Sequence, residues 1–355
     1  NSSTDEEIIH SVKNAHDAQK NWKNIGISKR IEYLKNLFSN FNQNKIELAN
    51  LITQETGKPI SQTIGEIDFF QTYNEWTLEN ANDILKDEII YEDGNSIHTL
   101  KHEPHGVVAI ILPWNSAFGL LSWKVFSSLI TGNTIIIKQS EDVPLFSKKI
   151  ESIVKKIHFP DGVINFVFGD EHVGEKLTDQ NINLINFTGS SSIGKKLYKK
   201  AANKFIKVIL ELGGSNPGII FEDSDIDDVI GRVFAGRFSN CGQNCDSLKR
   251  LIVHDTIYED VLKKLKIEMQ SKKIGDPENK ETYFGTLCSK KQFEVANAQL
   301  NDALDKGAKI FSQKEIPENL NGSFFTPIIL TNVTNNMKIM TEEVFAPILP
   351  VLKFS

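Results

Sequence analysis

From Val107 onward, short apolar runs alternate with helix-like segments, and this alternation constrains the fold more than any other feature. The runs cover residues 107–112, 134–138, 163–167, 184–187 and 207–210. Strands buried on both faces read as continuous apolar runs, and helical crossovers between parallel strands are what cover both faces. The pattern predicts a doubly wound parallel α/β sheet. A further unit starts at Gly218-Ile219-Ile220-Phe221 and continues through a helix over 225–238 to a strand over 250–254. One more strand is expected near Gly307-Ala308-Lys309-Ile310.

Ahead of the sheet the chain reads as helical. Thr4-Asp5-Glu6-Glu7 has the form of a capping box, followed by Ile8, Ile9, Val12, Ala15, Ala18 and Trp22 on one face. A second helical region runs over about 28–55 and stops at Gly57-Lys58-Pro59. A third, over about 61–85, carries Phe69, Phe70, Tyr73 and Trp76; residues 88–91 and 96–101 then flank Asp93-Gly94 as a hairpin. A length of 355 residues gives a prior of two to three domains. The net charge of −6 and pI of about 5.8 count against nucleic acid as a main partner. No apolar run approaches the ~20 residues of a membrane span, so no membrane partner is expected either. Cys241, Cys245 and Cys288 form no secreted framework, and Asn1-Ser2-Ser3-Thr4 carries no signal-peptide pattern. The expectation is a reducing, cytoplasmic compartment.

Four segments could carry chemistry. Phe238 to Cys245 joins a helix to a strand, where a loop cysteine is either an inert thiol or a nucleophile. An ordinary thiol is only a few per cent thiolate at neutral pH, so a nucleophile needs backbone amides, a nearby cation or a general base. No further Cys or His completes a metal site with Cys241 and Cys245. Val208 to Gly214 delivers Glu211 at the end of a strand, either as a solvated carboxylate or at a ligand edge. Asn115, in Ile111-Leu112-Pro113-Trp114-Asn115, reads alone as a helix N-cap, although its amide could also serve a developing oxyanion. Phe187 to Lys196 nearly spells a phosphate loop, but Lys196 stands where magnesium needs Ser or Thr. A strand–loop–helix start of this kind can still hold a pyrophosphate. His98, His102 and His105 read as surface residues, and no metal is expected.

Taken in order, these segments resemble the successive motifs of the aldehyde dehydrogenase superfamily. They are Glu55-Thr56-Gly57-Lys58-Pro59, Pro113-Trp114-Asn115, Lys138 to Glu141, Phe187-Thr188-Gly189-Ser190, Glu211-Leu212-Gly213-Gly214, Gly242-Gln243-Asn244-Cys245 and Glu343-Val344-Phe345-Ala346-Pro347. The resemblance covers essentially the whole chain. It implies a Rossmann-type cofactor domain over 1–85 and 105–212, an oligomerisation hairpin over 86–104, and a catalytic domain over 213–355. Family members continue past Ser355, so the last domain is expected to be incomplete at its C-terminus. The hairpin implies a homodimer or homotetramer.

The same resemblance assigns roles. Cys245 attacks the aldehyde, Asn115 and the Cys245 backbone N–H hold the oxyanion, and Glu211 activates water to release a carboxylic acid. Glu211 also favours hydrolysis over transfer to coenzyme A. Leu112, Pro113, Trp114, Lys138, Ser140, Glu141, Gly169, Gly189, Ser190, Leu212, Glu343 and Phe345 are expected to hold the cofactor. Glu141 would repel a 2′-phosphate, which leans toward NAD over NADP. The substrate pocket is expected to include Trp123, Ser239, Asn244 and Asp246. In succinate-semialdehyde relatives arginines stand at the positions of Ser239 and of Trp123, just before Lys124; Trp123 instead resembles members that take simple aliphatic, aromatic or amino-aldehydes, which leaves an acidic semialdehyde as the alternative substrate. Asp246 is read either as a turn cap or as a partner of a cationic or hydroxylated aldehyde. Gln139 departs from the family's usual proline. A catalytically silent binding protein of the same fold is the rival reading.

Overall fold

The computed structural model describes residues 2–355. The chain forms two compact units, one of residues 1–48 and 65–212 and the other of residues 49–64 and 213–355. Residues 49–64 therefore group with the second unit and not with the cofactor domain, where the sequence reading put them. Hydrogen bonds within the second unit give the physical reason. Ile60 N donates to Pro277 O at 2.8 Å, Gln62 Nε2 to Tyr283 O at 2.8 Å, and Thr286 N to Gly57 O at 3.2 Å. Gly57 has φ +75° and lies against Thr286, so Glu55-Thr56-Gly57-Lys58-Pro59 is a docking turn as well as a helix stop.

The first unit opens with the helix Asp5–Asn24, whose capping box is formed: Thr4 N donates to Glu7 Oε2 at 2.8 Å and Glu7 N to Thr4 Oγ1 at 3.2 Å. Ile8, Val12, Ala15, Ala18 and Trp22 are buried, but Ile9 is 54% exposed, because the buried stripe follows the 3.6-residue period and leaves Ile9 off it. The second helical region is two helices, Ile27–Gln43 and Lys45–Thr56, interrupted at Asn44. Ile60–Ile84 follows, with Phe69, Tyr73 and Trp76 exposed. The hairpin consists of β1 (Glu88–Glu92) and β2 (Ile97–Leu100), every residue of which is exposed. Asp93 makes its turn, accepting from the backbone N–H of Asn95 and of Ser96 at 2.8 Å each.

The five apolar runs become β3 (Val107–Ile111), β4 (Thr134–Lys138), β5 (Ile164–Val167), β6 (Leu184–Thr188) and β7 (Lys207–Glu211). They form one parallel sheet in the order β5-β4-β3-β6-β7. β3, β4 and β6 are buried throughout. β7 is an edge strand that alternates exposed and half-buried residues, so its apolar run overstates its burial. The chain winds outward through β4 and β5, then returns to the other side of β3. That reversal puts a switch point between β3 and β6, where open α/β sheets bind ligands beyond the carboxyl ends of the strands.

The second unit holds β8 (Asn216–Ile220), β9 (Leu248–His254), the short parallel pair β10 (Lys273–Ile274) and β11 (Thr282–Phe284), and β12 (Lys309–Gln313), β13 (Ile328–Thr331) and β14 (Ile348–Phe354). Its main sheet has the order β12-β13-β14-β9-β8, with only β12 antiparallel to its neighbour. The core is built on Phe234 and Phe238, whose ring centroids are 4.7 Å apart, with Phe284 edge-on to Phe238.

Candidate functional site

In the first unit, the expected cofactor residues gather where strands end. β3 runs into Leu112-Pro113-Trp114-Asn115, β4 into Ser140-Glu141, β5 into Gly169 and β6 into Gly189-Ser190, while Glu211 closes β7. Backbone hydrogen bonds hold this edge together: Leu112 N donates to Lys138 O and Gly189 N to Glu211 O, both at 3.0 Å. Asn115 is buried, 6% exposed, and the N-cap of the next helix, Ala117–Ile130, is Ser116 and not Asn115. The cap reading of Asn115 is therefore displaced by one residue. Gln139, the departure from proline, is buried and donates from Nε2 to Ala117 O at 3.2 Å, tying the end of β4 to the start of that helix.

These residues fit a dinucleotide. The helix Ser191–Lys204 starts directly beyond β6, and Ser190 caps it by accepting from Ile193 N at 3.4 Å. Such a start presents backbone N–H groups and a partial positive charge to a phosphate. At the adjoining end of β6, Thr188 Oγ1 is buried with no hydrogen-bond partner. Two strands away, Lys138 is buried and its ammonium lies 3.1 Å from the exposed Glu141 carboxylate. Leu212 packs on Gly194 of the helix, where any Cβ would overlap it. Ser140 binds Asp142 locally, at 3.2 Å between side chains. Gly169 has φ +138°, a conformation that favours glycine.

The motifs give Lys124 no role, yet it is buried in this unit and donates to Asn186 Oδ1. Burial pushes its pKa down to about 8, against the opposing pull of the Glu211 charge. Trp123, expected in the substrate pocket, is partly exposed and packs edge-on to Tyr73, with Nε1 donating to the Tyr73 hydroxyl at 3.0 Å. Phe70 lies on its other flank, at 6.5 Å between ring centroids. Tyr73 and Phe70, which pack with Trp123, lie outside the motifs.

In the second unit, the segment expected to carry the nucleophile begins in a left-handed turn. Asn240 (φ 51°), Cys241 (φ 53°) and Gly242 (φ 73°) follow one another with positive φ. Non-glycine residues held there cost about 1–3 kcal/mol each, so the surroundings must over-determine the turn. Asn240 N donates to Gln62 Oε1 at 2.7 Å. Gln243, fully buried, donates from Nε2 to Asn240 O at 3.1 Å and to Thr286 O at 3.3 Å, and accepts from Cys288 N at 3.0 Å. Arg237, also fully buried, donates to the carbonyls of Leu248, Val344 and Ala346. Burial pushes its pKa down to about 9, opposed by the Glu343 charge.

Beyond that turn, Ser247 N donates to Asn244 O at 3.3 Å, which places Cys245 and Asp246 at the centre of a β-turn. Cys245 is a free, half-buried thiol. Burial raises its pKa first and the Asp246 charge second, while the backbone N–H groups of Asp246 and of Cys245 itself, and then Lys249, favour the thiolate. Two of the aids expected from the sequence, amides and a cation, are thus present within the unit. Asp246 is exposed and works against the thiolate. Cys241 is different: buried, with Sγ 3.5 Å from Gly285 O, its pKa is pushed up to about 12 by burial, which leaves it an inert thiol.

Glu343 is held 3.4 Å from Gly214 N and packs on Gly213, and Phe345 lies under the Lys249 ammonium at 4.9 Å. Asn244 Nδ2 donates to Ser239 O at 3.4 Å, and the Ser239 and Tyr283 hydroxyls are 3.4 Å apart. Motif reading missed Gln62, Arg237 and Lys249. Two of them left a sequence signal: Lys249 breaks the inward apolar alternation with Leu251 and Val253, and Arg237 sits beside Phe238 on a helix's buried face. Among the described residues no cluster of His, Cys, Asp and Glu could hold a metal, and no helix is long and apolar enough to cross a membrane.

Known proteins resemble this chain in sequence and fold. The rat mitochondrial succinate-semialdehyde dehydrogenase is 34% identical over 350 residues, covering 97% of this chain and 67% of the relative. The 3,6-anhydro-alpha-L-galactose dehydrogenase of Vibrio sp. strain EJY3 is 33% identical, covering 99% of this chain and 74% of the relative. Among solved structures, an Escherichia coli NADP-dependent enzyme superposes with a TM-score of 0.94 at 31% identity, covering 99% of this chain and 73% of that one. The model of the aldehyde dehydrogenase family matches residues 1–355. With strand ends suited to a dinucleotide in one unit and a thiol in a turn of backbone donors in the other, the chain belongs to the aldehyde dehydrogenase family, NAD(P)-dependent enzymes that oxidise aldehydes to carboxylic acids.

Proposed function

We propose that Cys245 is the nucleophile of this oxidation, with Asn115 as oxyanion donor, Glu211 as general base and NAD preferred over NADP. The carrying observation is the Cys245 β-turn, whose two backbone N–H groups and buried lysine oppose the burial and the Asp246 charge that together hold the thiol pKa above its ordinary value. The Cys245 sulfur adds to the aldehyde carbon, and the oxygen takes the negative charge. The Asn115 side-chain amide and the Cys245 backbone N–H stabilise that oxyanion, a contribution of about 3 kcal/mol for one donor in comparable sites. The chemistry supplied by bound NAD(P) is hydride acceptance, which leaves the acyl group on Cys245 as a thioester. Glu211 takes a proton from water, the hydroxide adds to the thioester, and the C–S bond breaks to return the thiolate and the carboxylic acid.

Lys138 and Glu141 would meet the adenosine ribose, Ser190 and the helix start behind it the pyrophosphate, and Glu343 and Phe345 the nicotinamide ribose. Leu112, Pro113, Trp114, Ser140, Gly169, Gly189 and Leu212 complete the bed. The Glu141 carboxylate supports NAD: it neutralises Lys138 at 3.1 Å, leaving no net positive charge at this pair for a 2′-phosphate. Some relatives are named for NADP, including the Escherichia coli succinate-semialdehyde dehydrogenase at 32% identity, so the ratio of kcat/KM for the two cofactors tests this point.

For substrate, we infer an uncharged, polar aldehyde. Ser239 and Trp123 offer no cation, and the chain's four arginines are engaged elsewhere. Arg30, Arg237 and Arg250 bind backbone carbonyls, and Arg232 pairs with Asp228. Asn244 and Asp246 place polar groups beside the nucleophile. Succinate semialdehyde is the second reading, favoured by the names of several relatives. A panel of succinate semialdehyde, hydroxylated, aliphatic and aromatic aldehydes, read by NADH or NADPH formation, tests both; the first reading fails if succinate semialdehyde has the highest kcat/KM.

The exposed hairpin supports a homo-oligomer, dimer or tetramer. Ile89, Ile90, Tyr91, Ile97 and Leu100 are 46–66% exposed. A two-stranded ribbon with open edges is marginal alone and gains by pairing with a second copy. The three free cysteines support a reducing compartment, which we place in the cytoplasm.

A further inference from the structure

Lys249 is the second residue of β9, on the strand face shared with Leu251 and Val253, and all three are fully buried. An inward strand position without water disfavours an ammonium unless hydrogen bonds and charge compensate it. Here they do. Nζ donates to Asn244 O at 2.5 Å and to Ser247 Oγ at 2.8 Å, lies 3.7 Å from Glu343 Oε1, and sits over the Phe345 ring. The Asn244 carbonyl is the hub of this arrangement. Besides Lys249 it accepts from Ser247 N at 3.3 Å and Ser247 Oγ at 3.1 Å.

That carbonyl and the Cys245 N–H belong to the same planar peptide group. A cation on the oxygen fixes the plane and draws electron density from the nitrogen, so the N–H becomes a stronger donor. We propose that Lys249 is a positioning residue for the nucleophile: by clamping the Asn244 carbonyl it aims and polarises the Cys245 N–H toward the sulfur and toward the oxyanion formed beside it. The proposal rests on Cys245 being the nucleophile. The charged groups around Lys249 are Arg237 from the preceding helix, Glu343 from the segment before β14, and Cys245 and Asp246 from the turn itself. Of these, Asp246 disfavours the thiolate, and Lys249 counters it while holding the donor in place.

The test is the pH dependence of Cys245 alkylation by iodoacetamide, with the modified residue identified by peptide mass mapping. Lys249→Met keeps the bulk and removes charge and donor; Lys249→Gln keeps a donor without the charge. In Lys249→Met the midpoint of the Cys245 profile is expected to rise by about one pH unit, a tenfold smaller thiolate fraction at a given pH. Lys249→Gln should shift by a smaller amount, and kcat should fall in the same order with the aldehyde KM unchanged. A role confined to packing predicts instead a faster alkylation plateau with an unmoved midpoint, and that result overturns the proposal. If Lys249→Met does not fold, judged by circular dichroism, Lys249→Gln decides: an unshifted midpoint overturns it. Wild-type protein that turns over aldehyde while Cys245 resists alkylation at every pH refutes the nucleophile reading, and the proposal with it.

Discussion

Replacing Gly242 with Ala tests the left-handed turn that leads to the proposed nucleophile, Cys245. Gly242 has φ +73°, and a Cβ built there overlaps the Ala346 carbonyl oxygen and crowds the Arg237 guanidinium, which itself binds that carbonyl. A left-handed alanine costs about 1–2 kcal/mol. Overpacking against backbone that cannot rotate aside adds about 1–3 kcal/mol. The expected loss is therefore about 2–5 kcal/mol, confined to the second unit because both contacts lie inside it. The assay is urea unfolding followed by far-UV circular dichroism beside tryptophan emission. All four tryptophans, at 22, 76, 114 and 123, belong to the first unit, so emission reports that unit. The circular dichroism midpoint should fall, and kcat should fall with it because the displaced turn leads into the β-turn that carries Cys245. A variant within ~0.5 kcal/mol of wild type and fully active would refute the reasoning, since the left-handed turn would then not constrain the site.

Further outcomes follow from the same residues. Cys245→Ser should abolish aldehyde oxidation in a steady-state NADH assay while leaving the unfolding midpoint within ~0.5 kcal/mol, as a half-buried thiol-to-hydroxyl change allows. Glu141→Ser should raise the NADP-to-NAD ratio of kcat/KM by about tenfold or more, equivalent to ~1.4 kcal/mol, and an unchanged ratio argues against its place at the ribose. Burial holds Lys124 near 8 in the fold, below the ordinary lysine value of 10.5 that the unfolded chain keeps, so the unfolded chain binds more protons between those values. Stability attributable to Lys124 should thus rise with pH across about 8 to 10.5, by at most ~1.4 kcal/mol per pH unit, and the difference between wild type and Lys124→Met should show that slope. Deleting residues 88–100 should leave a monomer by light scattering; an unaltered oligomer places the interface elsewhere.

Periodicity was informative wherever burial was one-sided or complete. The helix Asp5–Asn24 and strands β3, β4 and β6 follow directly from the spacing of their apolar residues. β13 and β14 are exceptions despite their burial: β13 is four residues long between Pro327 and Asn332, and Pro350 interrupts the apolar run of β14. The break at Asn44 left no Gly or Pro signal. The residues proposed to carry the chemistry stand in motifs that read in order along the sequence, since loops at strand ends keep their residue types for a site and not for packing. What supports them was less legible. Gln62 and Gln243 act on backbone groups brought together by the fold, and a glutamine in sequence does not say which carbonyl it will meet. Lys249 was visible as a charged residue on an apolar face, a local inconsistency of the kind that functional sites keep.

The central claim is that an acyl group rides on Cys245 until Glu211 helps water remove it. The direct measurement uses Glu211→Gln, mixed with NAD and a turned-over aldehyde, quenched in acid and mapped by peptide mass spectrometry. The account predicts about one equivalent of NADH released in a burst, with the acyl mass on the peptide containing Cys245. Undiminished turnover without any adduct, or an adduct on Cys241 or Cys288 in place of Cys245, would contradict it.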